Sequence, residues 1–379
     1  MSEYLITDYG VKPNSEKLQT GELQAVLDKC KNGGTVIVPE GEYVISSVRM
    51  WSGTTLYLKK GAKLTASKNC NDYELYDIPG NVTLYTDQQV LGGDYKYYRR
   101  AMISAYGEEN ISIIGEGGSV IDGVDCFDPD GEEGFRGPHG IFLSNCKNIL
   151  LKGYTIRNTG NFMHQTDACE NLTMEDITVL GGHDGIHLHK GKNFLIKNCK
   201  FITGDDCIAG VCVDGVTVTG CELNTSCNIF RIGGKNILIE DCKADGPGYY
   251  PHRLSLKELG DLNADRTLGR HNSLVFVEYF ASPVLKGSGV ADITVRNCKI
   301  DGVDMLLHYV KDCRQFLHFG MNLGSVTFEN VEATNLLKPS PVHGDDELQP
   351  EISLKNTKMT FRNPETEAFD SECVRFTEL

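Results

Sequence analysis

Three aspartates are the residues of this sequence whose types and spacing could do chemistry. Asp184 precedes a glycine, and Asp205 and Asp206 directly follow Gly204. Carboxyl groups held close together disfavour one another's ionisation, so at least one keeps its proton near neutral pH. Hydrolysis of a glycosidic bond needs such a division, with one carboxylic acid for the leaving oxygen and one carboxylate for the water.

The constant interval between the acids favours a catalytic site. Asp184, Asp206 and Asn228 are each 22 residues apart, and His183, Asp205 and Cys227 form a parallel series with the same interval. Asp-Gly and Gly-Asp-Asp are also common turn sequences, and each taken singly favours a turn. Repetition at one fixed interval favours a catalytic cluster instead.

The elements that must position these acids repeat at the same interval. Asn148, Asn171 and Asn193 each open a short β-rich run at intervals of 23 and 22 residues, and the run at Asn236 begins 43 residues later. Short strands with Gly and Asn at the corners, repeated in this way, predict the coils of a parallel β-helix. Coils stack about 4.8 Å apart, so residues one period apart become neighbours.

The alternation of side chains along a strand assigns a face to each series. Ile186, Ile208 and Phe230 form an apolar series that predicts the core, and His164 joins it as a core histidine. The neighbouring series consists of Gln165, His187, Ala209 and Arg231, and it predicts that His187 and Arg231 project into the groove with the aspartates.

The sequence predicts one β-helix domain over residues 1–379. An N-terminal cap over about 1–45 contains a helix at Thr20–Cys30, because Leu23, Val26 and Leu27 have helical spacing. Long loops are expected at about 67–105 and 245–272. The aromatic residues of the first loop could stack on sugar rings or only pack on the coils. The second loop is expected to cross the groove and to bring Arg253 with it.

Charge and cysteine content restrict the partners and the compartment. A net charge of −15 argues against nucleic acid or an anionic membrane surface, and it fits poorly with a polyanionic substrate. The start of the chain lacks a basic segment followed by an apolar run, and no stretch reaches the roughly 18 apolar residues of a membrane span. Several of the 14 cysteines recur near the strand runs, which predicts interior thiols in a reducing compartment. We therefore expect a cytoplasmic protein.

Metal ligation is the alternative interpretation of the cysteines and of His183, His187 and His189. The sequence contains no Cys-x-x-Cys pair, and the expected carboxylate or thiol partners of the histidines are not evident at liganding spacing. We predict no metal and no other cofactor. The histidines are then interpreted as polar groove residues that hydrogen-bond a sugar.

Long stretches of the chain resemble glycoside hydrolase family 28, the polygalacturonase family of right-handed, single-stranded parallel β-helices. The resemblance covers roughly residues 5–245, and its most specific part is the GDDCIA segment. It is carried by TDYGVKP, GGTVIVPEGEYVI, ISIIGEGGSVIDG, NCKNILLKGYTIRNTGNFMH and HDGIHLHKGKNFLIKNCKFITGDDCIAG. It implies a pectin lyase-like solenoid.

The resemblance also implies roles for the acids. The family's Asn-Thr-Asp element is represented by Gly182-His183-Asp184 and its Gly-Asp-Asp element by Gly204-Asp205-Asp206. By analogy, Asp205 is the general acid of an inverting hydrolysis, and Asp184 and Asp206 position and deprotonate the water.

Two elements of the family pattern are changed. Cys227-Asn228-Ile229 stands where Gly-His-Gly is expected, and no Arg-Ile-Lys occurs; its nearest counterpart is His252-Arg253-Leu254. In the family the missing cations hold the carboxylate of a galacturonate unit. Arg231 could replace this grip, because a guanidinium binds a carboxylate with two hydrogen bonds, or it could keep Asp206 ionised. We predict that His183, His187, Asn228, Arg231 and Arg253 bind substrate.

The expected function is inverting, exo-acting hydrolysis of an oligosaccharide or glycoconjugate. A polysaccharide lyase or epimerase on the same fold is one alternative, with Arg231 or a histidine abstracting the proton next to a uronate carboxylate. A non-catalytic carbohydrate-binding β-helix, in which the two changed elements mark lost chemistry, is the other. The sequence does not predict the sugar, the linkage or the number of subunits.

Overall fold

The computed structural model describes residues 2–75, 99–258, 260, 274–281, 289–311 and 321–378. The chain divides into two compact units, Met1–His183 and Asp184–Leu379. Both units consist of short parallel strands joined by tight corners, so the predicted right-handed parallel β-helix is confirmed.

The first unit contains the cap and the first coils. Its α-helix, α1 (Thr20–Leu27), buries Leu23, Val26 and Leu27, which confirms the predicted capping helix with an earlier end. Short 3-10 helices lie at Ile6–Tyr9, Asp28–Cys30, Cys70–Asp72 and Glu132–Gly134. The strands are β1 (Glu3–Leu5), β2 (Gly34–Val38), β3 (Gly41–Ile45), β4 (Val48–Arg49), β5 (Thr54–Leu58), β6 (Ala62–Ala66), β7 (Ala101–Tyr106), β8 (Glu109–Gly115), β9 (Val120–Asp122), β10 (His139–Ser144), β11 (Lys147–Lys152), β12 (Thr155–Arg157), β13 (His164–Asp167), β14 (Glu170–Glu175) and β15 (Thr178–Gly181).

These strands form three parallel ladders, and each full coil contributes one strand to each ladder. The first ladder runs β4, β7, β10, β13, the second β2, β5, β8, β11, β14, and the third β3, β6, β9, β12, β15. Strand β1 pairs with β2 at the beginning of the stack.

The second unit repeats the arrangement and contains the aspartates. Its strands are β16 (Ile186–His189), β17 (Lys192–Lys197), β18 (Lys200–Thr203), β19 (Ile208–Thr219), β20 (Glu222–Thr225), β21 (Phe230–Glu240), β22 (Lys243–Asp245), β23 (Val275–Tyr279), β24 (Gly289–Arg296), β25 (Lys299–Asp301), β26 (Met305–Val310), β27 (Met321–Glu329), β28 (Glu332–Leu336), β29 (Ser340–His343), β30 (Glu351–Lys355), β31 (Lys358–Phe361), β32 (Phe369–Glu372) and β33 (Arg375–Glu378). Its helix is α2 (Arg253–Glu258). The long strands β19 and β21 each pass through two of the three ladders.

The predicted register is confirmed in the second unit. Ile186 pairs with Ile208, and Ile208 pairs with Phe230, so residues 22 apart are neighbours on successive coils. All three side chains are fully buried, as the apolar series predicts. The asparagines that open the runs have positive φ at the corners, including Asn193 and Asn236, and this explains their repetition because asparagine tolerates the left-handed region better than most residues.

The recurring cysteines lie in the interior, as predicted. Cys199, Cys221, Cys242 and Cys298 follow successive strands of the second unit and are buried. Within the described residues no disulfide bond joins any cysteine.

Both predicted loops need correction at their edges. The first was expected to reach residue 105, but β7 begins at Ala101, where its backbone pairs with strand β10. Most of this loop, 76–98, lies outside the described residues. In the second, α2 replaces irregular structure, because RLSLKE contains good helix formers; residues 261–273 lie outside the described residues. None of the helices in the described ranges has the length and apolar character needed to cross a bilayer.

Candidate active site

Asp184 and Asp206 occupy equivalent positions on two successive coils of the second unit. The backbone N–H of Gly185 donates to the carbonyl oxygen of Asp206 at 2.9 Å, which fixes the two coils together at this point. A Cβ atom at Gly185 would lie 2.5 Å from Cδ1 of Phe201 and 2.6 Å from the carbonyl oxygen of Cys207. Close packing therefore requires glycine at position 185, where the two coils meet beside the predicted acids.

Asp206 is a buried acid whose pKa is strongly raised. Its side chain is 1% exposed, and Oδ1 accepts hydrogen bonds from Nδ2 of Asn228 at 2.9 Å and from the Asn228 backbone at 3.3 Å. Burial, together with the charges of Asp184 and Asp205, raises the pKa of Asp206 well above its usual value, and Arg231 and Asn228 only partly oppose this. The cluster therefore retains a proton at pH values where isolated aspartates are ionised.

Asp205 is the more accessible acid of the pair. Its backbone carbonyl accepts hydrogen bonds from the hydroxyl groups of Thr203, at 2.8 Å, and Thr225, so the ends of strands β18 and β20 hold the backbone in place. Its side chain is half-buried, and Oδ2 lies 3.5 Å from Nε2 of His252. This arrangement leaves the Asp205 carboxyl as the acid best placed to reach a bound molecule.

The thiol of Cys227 completes the wall next to Asp205 and Asp206. Its Sγ atom and one carboxylate oxygen of each aspartate lie within 4.8 Å of one another. Burial and the charge of Asp206 raise the pKa of Cys227 well above its usual value, so the thiol stays protonated.

Asp184 is paired with His187 of strand β16, and His187 is paired with His189 of the same strand. Its side chain is buried, and Oδ2 lies 2.7 Å from Nδ1 of His187. Nε2 of His187 in turn lies 2.8 Å from Nε2 of His189. Both ring nitrogens of His187 are thus at hydrogen-bond distance from protein groups.

Arg231 lies beside Asp206, and its guanidinium group contacts an aromatic ring. Its Nη1 atom lies 3.9 Å from Oδ2 of Asp206, and its guanidinium carbon lies 3.9 Å from the centre of the Phe280 ring. The side chain is half-buried, and its strand neighbours in register are Ala209 and Glu278. The predicted placement of Arg231 beside the aspartates is confirmed.

The remaining predicted binding residues have other described contacts. His183 belongs to the first unit, where Nδ1 lies 3.1 Å from Nη1 of Arg136 and the ring stacks on Phe135. Arg253 begins helix α2, is 4% exposed and donates from Nη2 to the hydroxyl of Tyr250 at 3.3 Å. Substrate binding by His183 and Arg253 stays a prediction.

Sequence reasoning missed the role of His252. Within His252-Arg253-Leu254, the counterpart of the family's cationic element, the arginine is the predicted binding residue. In the structure the histidine is the residue that approaches Asp205. No 22-residue interval identifies His252, because it precedes a helix inserted between β22 and β23. The pairing of His187 and His189 did have a signal, since alternate residues of a strand share a face.

Residues 60–225 match the model of the Glycosyl hydrolases family 28. This segment, called the family 28 segment below, is therefore similar to that family. The family 28 segment contains Asp184, Asp205 and Asp206 and ends just before Asn228 and Arg231, where the sequence departs from the expected Gly-His-Gly element.

Curated relatives and a solved structure agree with the family 28 segment. The chain is 26% identical to an exo-poly-alpha-D-galacturonosidase from Dickeya chrysanthemi, over 54% of this chain and 41% of that protein. It is 32% identical to a polygalacturonase from Saccharomyces cerevisiae, over 39% of this chain and 47% of that protein. The chain thus spans about half the length of these relatives.

The fold is also that of a solved family 28 protein. The Yersinia enterocolitica family 28 exopolygalacturonase superposes with a TM-score of 0.70 at 16% identity, covering 100% of this chain and 78% of that one. At this identity the likeness concerns the fold, and it agrees with the parallel ladders described above.

Proposed function

We propose that the protein is a glycoside hydrolase that cleaves an oligosaccharide from a chain end. The observation that carries the proposal is the meeting of Asp184, Asp205 and Asp206 on two coils, in a cluster that retains a proton. A retained proton beside ionised carboxylates is what acid-assisted departure of a sugar requires. The relatives with exo-acting names support action at a chain end.

The accessible Asp205 donates the proton to the leaving oxygen. Water is positioned by Asp184 together with Asp206. One oxygen of Asp205 lies within 4.8 Å of one oxygen of Asp206, which is less than the roughly 6.5–9.5 Å that separates acid from base in inverting enzymes. We therefore assign the larger part in activating the water to Asp184.

The substrate class proposed is a carbohydrate with a carboxylate group that Arg231 binds. Arg231 has a half-buried side chain beside the acids, and a relative of the family 28 segment is named for a galacturonide. A reducing, cytoplasmic environment is proposed from the interior cysteines, which no disulfide joins in the described residues.

The decisive experiment is digestion of a panel of galacturonide, rhamnose-containing and neutral oligosaccharides. We expect release of terminal sugars with inverted anomeric configuration, read by NMR, and incorporation of one solvent oxygen. Asp205→Asn should lower kcat at least about a hundredfold, because it removes a positioned acid. An unsaturated product that absorbs in the near ultraviolet would identify a lyase instead, and binding without turnover would identify a carbohydrate-binding protein.

A further inference from the structure

Asp184, His187 and His189 form a buried chain of hydrogen bonds that hydrolysis by the three aspartates does not itself require. The distances are 2.7 Å from Oδ2 of Asp184 to Nδ1 of His187 and 2.8 Å between the two Nε2 atoms. All three side chains are buried, and the two rings lie 4.5 Å apart between centres. This series of hydrogen bonds ends on Asp184, the acid that is proposed to activate the water.

The short distances restrict where protons lie. An ionised Asp184 only accepts hydrogen bonds, so Nδ1 of His187 must carry a proton. Two N–H groups cannot face each other at 2.8 Å, so one Nε2 atom donates and the other accepts. With both rings neutral, His189 donates to His187. The pair can hold one additional proton without breaking the chain, but not two.

The surroundings make this pairing matter for catalysis. The charges of Asp184 and Asp205 raise the pKa of Asp206, and the charge of Asp184 also raises the pKa of the buried thiols of Cys207 and Cys227. The positive charge of Arg231 acts on Asp206, from which its guanidinium nitrogen is 3.9 Å away. Without a donor of its own, Asp184 would compete for the proton that the cluster retains, and a protonated Asp184 cannot accept a proton from water.

We propose that His187 and His189 are positioning residues for Asp184. His187 donates from Nδ1 to Oδ2, which favours the ionised carboxylate and fixes its orientation, and His189 holds the His187 ring in the tautomer that can donate. The retained proton is thereby left to Asp205 and Asp206. This inference rests on the proposed hydrolase function and assigns the histidines a part in it other than contact with sugar.

The first test needs no substrate. In protein labelled with ¹⁵N-histidine, NMR of the ring nitrogens at pH 7 should show His187 protonated at Nδ1, and the His187→Asn spectrum assigns the signal. His189→Phe keeps an aromatic ring but removes the partner of Nε2, so the His187 signals should shift. A bare Nδ1 on His187 in the wild-type protein overturns the inference.

The second test is the pH dependence of kcat/KM on an oligosaccharide that the wild-type enzyme cleaves. His187→Leu removes the donor, so kcat should fall about tenfold or more, and the acidic limb should move up by about one pH unit or more. His187→Asn places an amide N–H near the position of Nδ1 and should restore most of the rate and the wild-type limb. His343→Leu, which removes a histidine 3.5 Å from Asp370 on strands β29 and β32, is the matched control and should change neither.

The outcomes separate the two proposals. An unshifted acidic limb and an unchanged kcat in His187→Leu would overturn the positioning role while hydrolysis stands. If the wild-type protein cleaves no sugar of the panel, the hydrolase proposal fails, and the tautomer of His187 alone decides whether Asp184 is held by this donor.

Discussion

Nε2 of His252 lies 3.5 Å from Oδ2 of Asp205, although the two residues come from different segments of the second unit. The ring of His252 is itself held by Ser255, whose Oγ lies 3.0 Å from Nδ1. The residue that precedes helix α2 thus reaches the proposed general acid and limits the orientations of its carboxyl group.

Substitution of His252 tests this contact. We expect His252→Ala to lower kcat/KM about tenfold, because a loosely held acid meets the leaving oxygen less often. Ser255→Ala removes only the support of the ring and should have a smaller effect. The measurement is steady-state kinetics on the best oligosaccharide of the panel, and wild-type rates in His252→Ala would contradict a role in holding Asp205.

Asp206→Asn should stabilise the protein at neutral pH. The raised pKa of Asp206 means that the folded state binds this proton more tightly than the unfolded chain, whose aspartates titrate near about 3.9. The favourable contribution is present at low pH and is lost as pH rises through the raised pKa. The variant should therefore gain about 0.5–2 kcal/mol in free energy of unfolding at pH 7 and little at pH 4.

Chemical denaturation at the two pH values measures this gain. Asp214→Asn, at an exposed position on strand β19, is the matched control and should stay within about 0.5 kcal/mol of wild type at both. Equal stability of Asp206→Asn and wild type at pH 7 would show that Asp206 ionises in the folded protein without lowering the free energy of unfolding.

Arg231 should distinguish acidic from neutral sugars. Arg231→Met is expected to raise KM for galacturonides by about tenfold or more, the scale of a lost hydrogen bond to a charged group, and to leave KM for neutral oligosaccharides unchanged. The same change should raise the pKa of Asp206 further, because the Arg231 charge lowers it. Arg231→Lys keeps the charge but not the planar contact with Phe280, and should be intermediate.

Arg296→Met controls for loss of a surface arginine in the same unit, since Arg296 pairs with Glu240 away from the acids. An equal rise of KM for acidic and neutral sugars in Arg231→Met would argue that Arg231 supports the site as a whole and does not bind a carboxylate.

The interior thiols should be inert in the native protein. Hydrogen bonds with Cys199 and Cys221, respectively, and then burial raise the pKa of Cys221 and Cys242 to about 12 each, so little reactive thiolate forms near neutral pH. Mass spectrometry after brief alkylation should find these two cysteines unmodified and Cys373, which is more accessible, modified. Denaturant should expose all of them, and labelling of Cys242 in native protein would contradict the packing described.

The 22-residue period was enough to predict the coil geometry and the meeting of Asp184 with Asp206, because stacking converts a constant interval into spatial contact. The same reasoning placed Ile186 in the core and Arg231 beside the acids. It failed at His252, because an inserted helix has no register with the coils. Interval alone also left open which partner His187 takes, since strand alternation gives the face but not the hydrogen bond.

The hydrogen bond from the N–H of Gly185 to the carbonyl of Asp206 limits which substitutions can alter the spacing of the acids. The distance between the two acids is dictated by main-chain geometry that any sequence of the same coil type reproduces. Residues on later coils, such as Asn228 and Arg231, can therefore be substituted while that distance persists. We expect a change of sugar preference to need substitutions on one coil only, with the coils that carry the acids unchanged.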